Sequence, residues 1–153
     1  MKRFLLVAAL SLIATSAVAA PNFSGRWTFD PGKSRNVGMM AQASVVSTIE
    51  QTATTLTVDD HSVFAGAAMD DHTVYDLTGA PATNVSKMSG TGTTRSKWDG
   101  ARLVTEWDSA GAIAGSTNIR IETRMLSSDG QTMLVESRKA DKPAVVMAFD
   151  RAP

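Results

Sequence analysis

The chain has no cysteine in its 153 residues. Disulfide staples are therefore excluded, and so is a bacterial-type lipid anchor on a cysteine after a leader. Stability must come from packing and hydrogen bonding. A charge imbalance is also missing, with 15 Lys plus Arg against 15 Asp plus Glu. A near-neutral chain is a poor candidate for binding nucleic acid or an anionic membrane surface. The longest apolar run, Phe4 to Ala14, is too short to cross a bilayer, which takes about 20 residues. Chemistry-bearing motifs are scarce as well. No serine or cysteine sits in a recognisable nucleophile elbow, so nucleophilic hydrolysis has no support. Gly90-Thr91-Gly92 is a glycine pair before a strand with no following helix, and it is not a phosphate loop. No sustained helical stripe occurs; the best helix candidate is a turn or two within Phe64–Met69, weakened by Gly66.

What is present begins with an export signal. Lys2 and Arg3 lead into the apolar run, and Ala17-Val18-Ala19 closes it with small residues, the layout of a secretory signal peptide. Cleavage is expected after Ala19, because a cut after Ala20 would put Pro21 on the scissile bond. Residues 1–19 are thus read as signal peptide and 20–153 as one domain, periplasmic or secreted. Loss of Lys2 and Arg3 leaves acidic residues in slight excess.

The remainder is rich in Thr, Val and Ser, with apolar residues mostly alternating with polar ones. Period two marks half-buried strands. Nine are expected: Phe23–Phe29, Ser44–Gln51, Thr54–Asp59, His72–Thr78, Gly92–Trp98, Arg102–Trp107, Asn118–Leu126, Thr132–Lys139 and Val145–Asp150. Asp99-Gly100 reads as a hairpin turn, and Ser127-Ser128-Asp129-Gly130 as a type I turn with Gly130 left-handed. Ser127 placed opposite Gln131 sets Glu122 across from Glu136 and Arg124 across from Leu134. The diagonals Arg124–Glu136 and Glu122–Arg138 then become ion pairs. A meander of this length tends to curl and close, so an antiparallel up-and-down barrel of eight to nine strands is expected. A two-sheet sandwich is the structural rival.

Asn22-Phe23-x-Gly25-x-Trp27 resembles the G-x-W motif on the first strand of lipocalins and their calycin relatives. That resemblance implies a lipocalin-like barrel whose base is closed by Trp27, with an arginine from near the chain's end packed across it. Arg151 is preferred for that role over Arg138. The longer stretch Phe23-Ser24-Gly25-x-Trp27…Asp30-Pro31-x-Lys33-Ser34 is similar to a group of bacterial exported lipocalin-like proteins. So are the hairpin Trp98-Asp99-Gly100 and the ending Phe149-Asp150-Arg151. Two features depart from typical lipocalins. Ala140–Ala144 is too short for a helix between the last strands, and the disulfide common in secreted members cannot form.

In an up-and-down barrel alternate connections share one end. Pro31–Ala43 and Asp60–Asp71 would then form one mouth, bearing Met39, Met40, Phe64 and Met69. Flexible apolar loops of this kind suit a binding mouth, or fold inward as a plug. Candidate ligand contacts are these four together with Tyr75, Trp107, Arg120 and Arg124. The charges on the later strands, Arg120, Glu122, Arg124, Glu136 and Arg138 among them, read either as an ordinary solvated face or as polar ligand contacts inside. Asp60, His61, Asp71 and His72 form a weak candidate metal cluster whose spacing matches no established motif. No cofactor, catalytic residue or metal is expected. The favoured function is export followed by binding of a small, lipophilic or amphipathic ligand. The rival is an envelope structural or interaction module with a filled barrel, acting through its surface. A third reading is an enzyme using the Asp/His cluster.

Overall fold

The computed structural model describes residues 20–87, 90–111, 113–140 and 142–153. The signal peptide expected over residues 1–19 lies outside them. Ten strands follow one another: β1 (Gly25–Arg35), β2 (Ser44–Gln51), β3 (Thr55–Phe64), β4 (Ala67–Asp76), β5 (Ala82–Ser86), β6 (Gly90–Asp99), β7 (Arg102–Ala110), β8 (Thr117–Leu126), β9 (Thr132–Lys139) and β10 (Val145–Arg151). They form one antiparallel sheet in the order β4-β3-β2-β1-β10-β9-β8-β7-β6-β5. The pairing of β1 with β10 rolls the meander into a barrel, not a two-sheet sandwich.

The barrel is nearly closed. Its two edges, β4 and β5, share no ladder. The side-chain amide of Asn84 bridges them instead. Its Oδ1 accepts the Val74 N–H at 2.8 Å, and its Nδ2 donates to the Val74 carbonyl at 2.9 Å. A primary amide offers the same donor and acceptor as a peptide group, so one side chain replaces a backbone rung.

Three expectations are corrected here. The strands number ten, not eight or nine, because β5 has its pattern inverted. Asn84 and Ser86 point inward while Val85 is 69% exposed, so hydrophobic alternation could not reveal it. The supposed long connection Asp60–Asp71 is mostly strand. β3 and β4 run through it to a two-residue turn, Ala65-Gly66, with φ of 49° and 81°. Positive φ at both positions suits a tight hairpin, and it excludes the helical turn expected within Phe64–Met69. The first connection is also shorter than expected. β1 continues to Arg35 through an irregularity in its pairing with β10, and a 3₁₀ turn at Gly38–Gln42 follows.

The third correction concerns register. Gly130 takes φ 69° and its N–H donates to the Ser127 carbonyl at 2.9 Å, the expected turn. Ser127, however, pairs with Thr132, one residue further than Gln131. Glu122 therefore faces Ser137 and Arg124 faces Val135. The two diagonal ion pairs do not form. Arg124 instead meets Glu122 on its own strand, and Arg138 meets Glu136. Since side chains alternate, the slip exchanges faces. Glu122 and Arg124 turn into the barrel, and Ile119 is left 52% exposed.

The base is sealed by aromatics. Phe23 stacks on Trp98 with ring centroids 6.1 Å apart, and Phe29 meets Phe149 at 5.7 Å. Trp27 is fully buried, and its Nε1 donates to the Phe23 carbonyl at 2.9 Å. Arg151, not Arg138, lies 4.2 Å above the Trp27 ring. Its Nη1 donates to the Ser24 carbonyl at 2.9 Å and its Nε to the Gly130 carbonyl at 3.1 Å. Gly25 (φ 134°) lets this happen, since a Cβ there would stand 2.7 Å from Arg151 Nη1.

Candidate binding cavity

Above the base the barrel is hollow. Many inward side chains in its middle are short, Ser47, Ser62, Thr73, Ser86 and Ser137 among them, and they leave a cavity of about 420 Å³. The walls differ in character. Val45 and Ile49 on β2, Met133 and Val135 on β9, and Met147 and Phe149 on β10 make an apolar side. Asp60 on β3, Asp71 and Tyr75 on β4, and Arg120, Glu122 and Arg124 on β8 make a polar one.

At the centre of the polar side is Glu122. Its Oε1 accepts from the Tyr75 hydroxyl at 3.1 Å and from Arg124 Nη2 at 3.1 Å. Arg120 Nη2 lies 3.9 Å from Oε2. Arg124 stacks 5.0 Å over Tyr75, Arg120 stacks 4.6 Å over Trp107, and the two rings meet edge to face at 5.9 Å. Burial, reinforced by Glu122, pushes the Tyr75 phenol well above its ordinary value, so it stays protonated and donates. Burial also raises Asp60, against a hydrogen bond from the Ser47 hydroxyl and the charge of Arg124.

Several donors remain unmet. Arg124 is only 5% exposed, yet its Nε and Nη1 have no partner among the described residues. The same holds for Arg120 Nε and Trp107 Nε1. Buried polar atoms are nearly always hydrogen-bonded. A guanidinium pairs with carboxylates and other planar anions through charge-assisted hydrogen bonds.

The residues expected to contact ligand divide cleanly. Met40, Met69, Tyr75, Trp107, Arg120 and Arg124 line the cavity. Met39 is 75% exposed and Phe64 sits at the tip of the β3–β4 hairpin, and neither lines it. The candidate metal cluster comes apart. Although Asp60 pairs with Asp71, both face the cavity, while His61 and His72 point outside. Outside, His61 Nδ1 lies 2.6 Å from Asp70 Oδ1, and His72 Nδ1 lies 2.6 Å from Asp59 Oδ1. All four residues border a groove on the outer side of the barrel, but adjacent strand residues face opposite ways, and the Asp60 and Asp71 carboxylates are directed to Ser47 and Ser86 and not toward the imidazoles. Among the described residues no group of three or more His, Cys, Asp or Glu is placed to hold a metal. Ser47, and Asp60 and Asp71 as cavity residues, were missed. Val45-x-Ser47-x-Ile49 carried the signal, since continuing its inward parity across the β2–β3 hairpin leads to Val58 and Asp60.

No family model and no curated protein matches the chain. Solved structures do resemble it in fold. Fatty-acid-binding protein 1 of Echinococcus granulosus superposes with a TM-score of 0.66 at 12% identity, covering 86% of this chain and 98% of that one. A Schistosoma mansoni fatty acid binding protein in complex with arachidonic acid gives 0.63 at 14%, covering 86% and 96%. Human cRBP IV gives 0.64 at 18%, covering 86% and 99%. At such identities the likeness establishes a shared fold.

Proposed function

We propose that this is an exported protein of the cell envelope that binds a small amphipathic molecule inside its barrel. The apolar body would lie against β2, β9 and β10, and an anionic group would meet Arg120 and Arg124. The observation that carries this reading is the hollow itself, about 420 Å³ with unmatched guanidinium donors in its wall. Pockets that bury small ligands combine an apolar lining with a few placed polar groups in this way. The barrel likeness to proteins described as binding fatty acids supports the same class of ligand. A filled-barrel module acting only through its surface is disfavoured by the hollow. Export rests on the N-terminal signal and on the resemblance to exported lipocalin-like proteins.

Native mass spectrometry of the protein isolated from its own host tests the proposal. The expected result is a reproducible small-molecule mass that leaves on unfolding and is lost from Arg124→Met. A bare chain that also takes up neither dodecanoic acid nor dodecylamine would overturn it.

A further inference from the structure

The polar wall holds a feature that an anionic ligand leaves unexplained. Ser47, Asp60, Asp71 and Ser86 form a row across β2, β3, β4 and β5. Ser47 is the register partner of Asp60, and Asp60 that of Asp71. The Ser47 hydroxyl donates to Asp60 Oδ1, and the Ser86 hydroxyl donates to Asp71 Oδ2 at 2.6 Å across the β4–β5 gap. Each carboxylate is thus held at one oxygen by a hydroxyl from its outer neighbour. Among the described residues neither enters an ion pair, and neither has a second side-chain donor.

Like charges directly opposite each other weaken a sheet, and buried charges are costly without a counter-charge. Arg124 acts on Asp60 through its charge but forms no ion pair with it. Arg124 and Arg120 are directed at Glu122 instead. Lys139, which also lines the cavity, is an exposed residue. One wall therefore carries three carboxylates, Asp60, Asp71 and Glu122, beside the buried Arg124 and the half-buried Arg120. A ligand bearing only an anion would be drawn to Arg124 and repelled by the aspartate pair. Unpartnered donors on Arg124 of β8, and an acceptor pair without an ion-pair partner on β3 and β4, are complementary to a ligand that carries both signs.

We propose that the cavity recognises a bipolar ligand, with a cationic amine seated on Asp60 and Asp71 and an anionic group on Arg120 and Arg124. This deepens, and rests on, the reading of the hollow as a ligand site. The class is an amphoteric molecule with an apolar body, such as a long-chain or aromatic amino acid derivative.

Calorimetric titration of the purified protein with three probes tests it: dodecanoic acid, 2-aminododecanoic acid and 12-aminododecanoic acid. At least one amino probe is expected to bind about tenfold or more tightly than dodecanoic acid, the scale of a charge-assisted contact. In the double variant Asp60→Asn/Asp71→Asn that advantage, measured against dodecanoic acid in the same variant, disappears. If the double variant fails to fold, Asp71→Asn alone is to lose most of the advantage. Dodecanoic acid binding at least as tightly as both amino probes overturns the bipolar reading and leaves the amphipathic-ligand reading standing. An amine advantage that survives both substitutions overturns it too. Binding of none of the three probes overturns both readings together.

Discussion

Three arginines stack on aromatic rings in this barrel, and they contrast. At the base, Arg151 covers Trp27 and directs its Nε and Nη1 to the Gly130 and Ser24 carbonyls. In the middle, Arg124 covers Tyr75 and Arg120 covers Trp107, yet nitrogens of both have no partner among the described residues. The same pair of side-chain types closes one region and leaves the other open. The lesson is that a cation over a ring says nothing of role by itself. What separates a structural arginine from one awaiting a ligand is whether its remaining donors are met.

The contrast can be broken most forcefully at the base. Trp27→Ala removes a fully buried indole from beneath Arg151 and should cost about 3–5 kcal/mol, read as a lower urea midpoint. Arg151→Met loses the stacking and both carbonyl contacts, for about 2–4 kcal/mol on the same measurement. Gly25→Ala forces a Cβ against Arg151 Nη1 at a left-handed φ and should cost about 1–3 kcal/mol. The middle should respond differently. Glu122→Gln/Arg124→Met removes a buried ion pair whole, and such replacements are often neutral or better, so stability should stay within about 1 kcal/mol of wild type. Binding of dodecanoic acid should nevertheless fall at least tenfold. A large loss of stability in that variant would mean that Arg124 is structural like Arg151.

The smallest expected effect sharpens the comparison through pH. Burial raises Asp60 above its ordinary value, so between that value and its raised one the folded state holds a proton that the unfolded state has released. Stability must therefore fall as pH rises through that window. Asp60→Asn lacks this decline, and its melting temperature relative to wild type should increase from acid to neutral pH. A constant difference across the range would show that Asp60 is not buried as charge.

Local pattern alone determined much of this protein. The boundaries of β2 and β9 and the Ser127–Gly130 turn were legible, because alternation and turn chemistry act over a few residues; the packing of a late arginine on Trp27 was implied only by the lipocalin resemblance. Short-range signals failed where polarity was inverted, as in β5, or where Asp and His interrupted the alternation of β3 and β4. The contents of the cavity were decided only by tertiary structure. Alternation is the same whichever face turns inward, and one residue in the β8–β9 hairpin chose between them. That choice set Glu122 and Arg124 on the inward face with Met133 and Val135. There, strands distant in sequence bring Tyr75, Asp60 and Asp71 beside them, an association set by barrel closure and invisible in any local stretch of the chain.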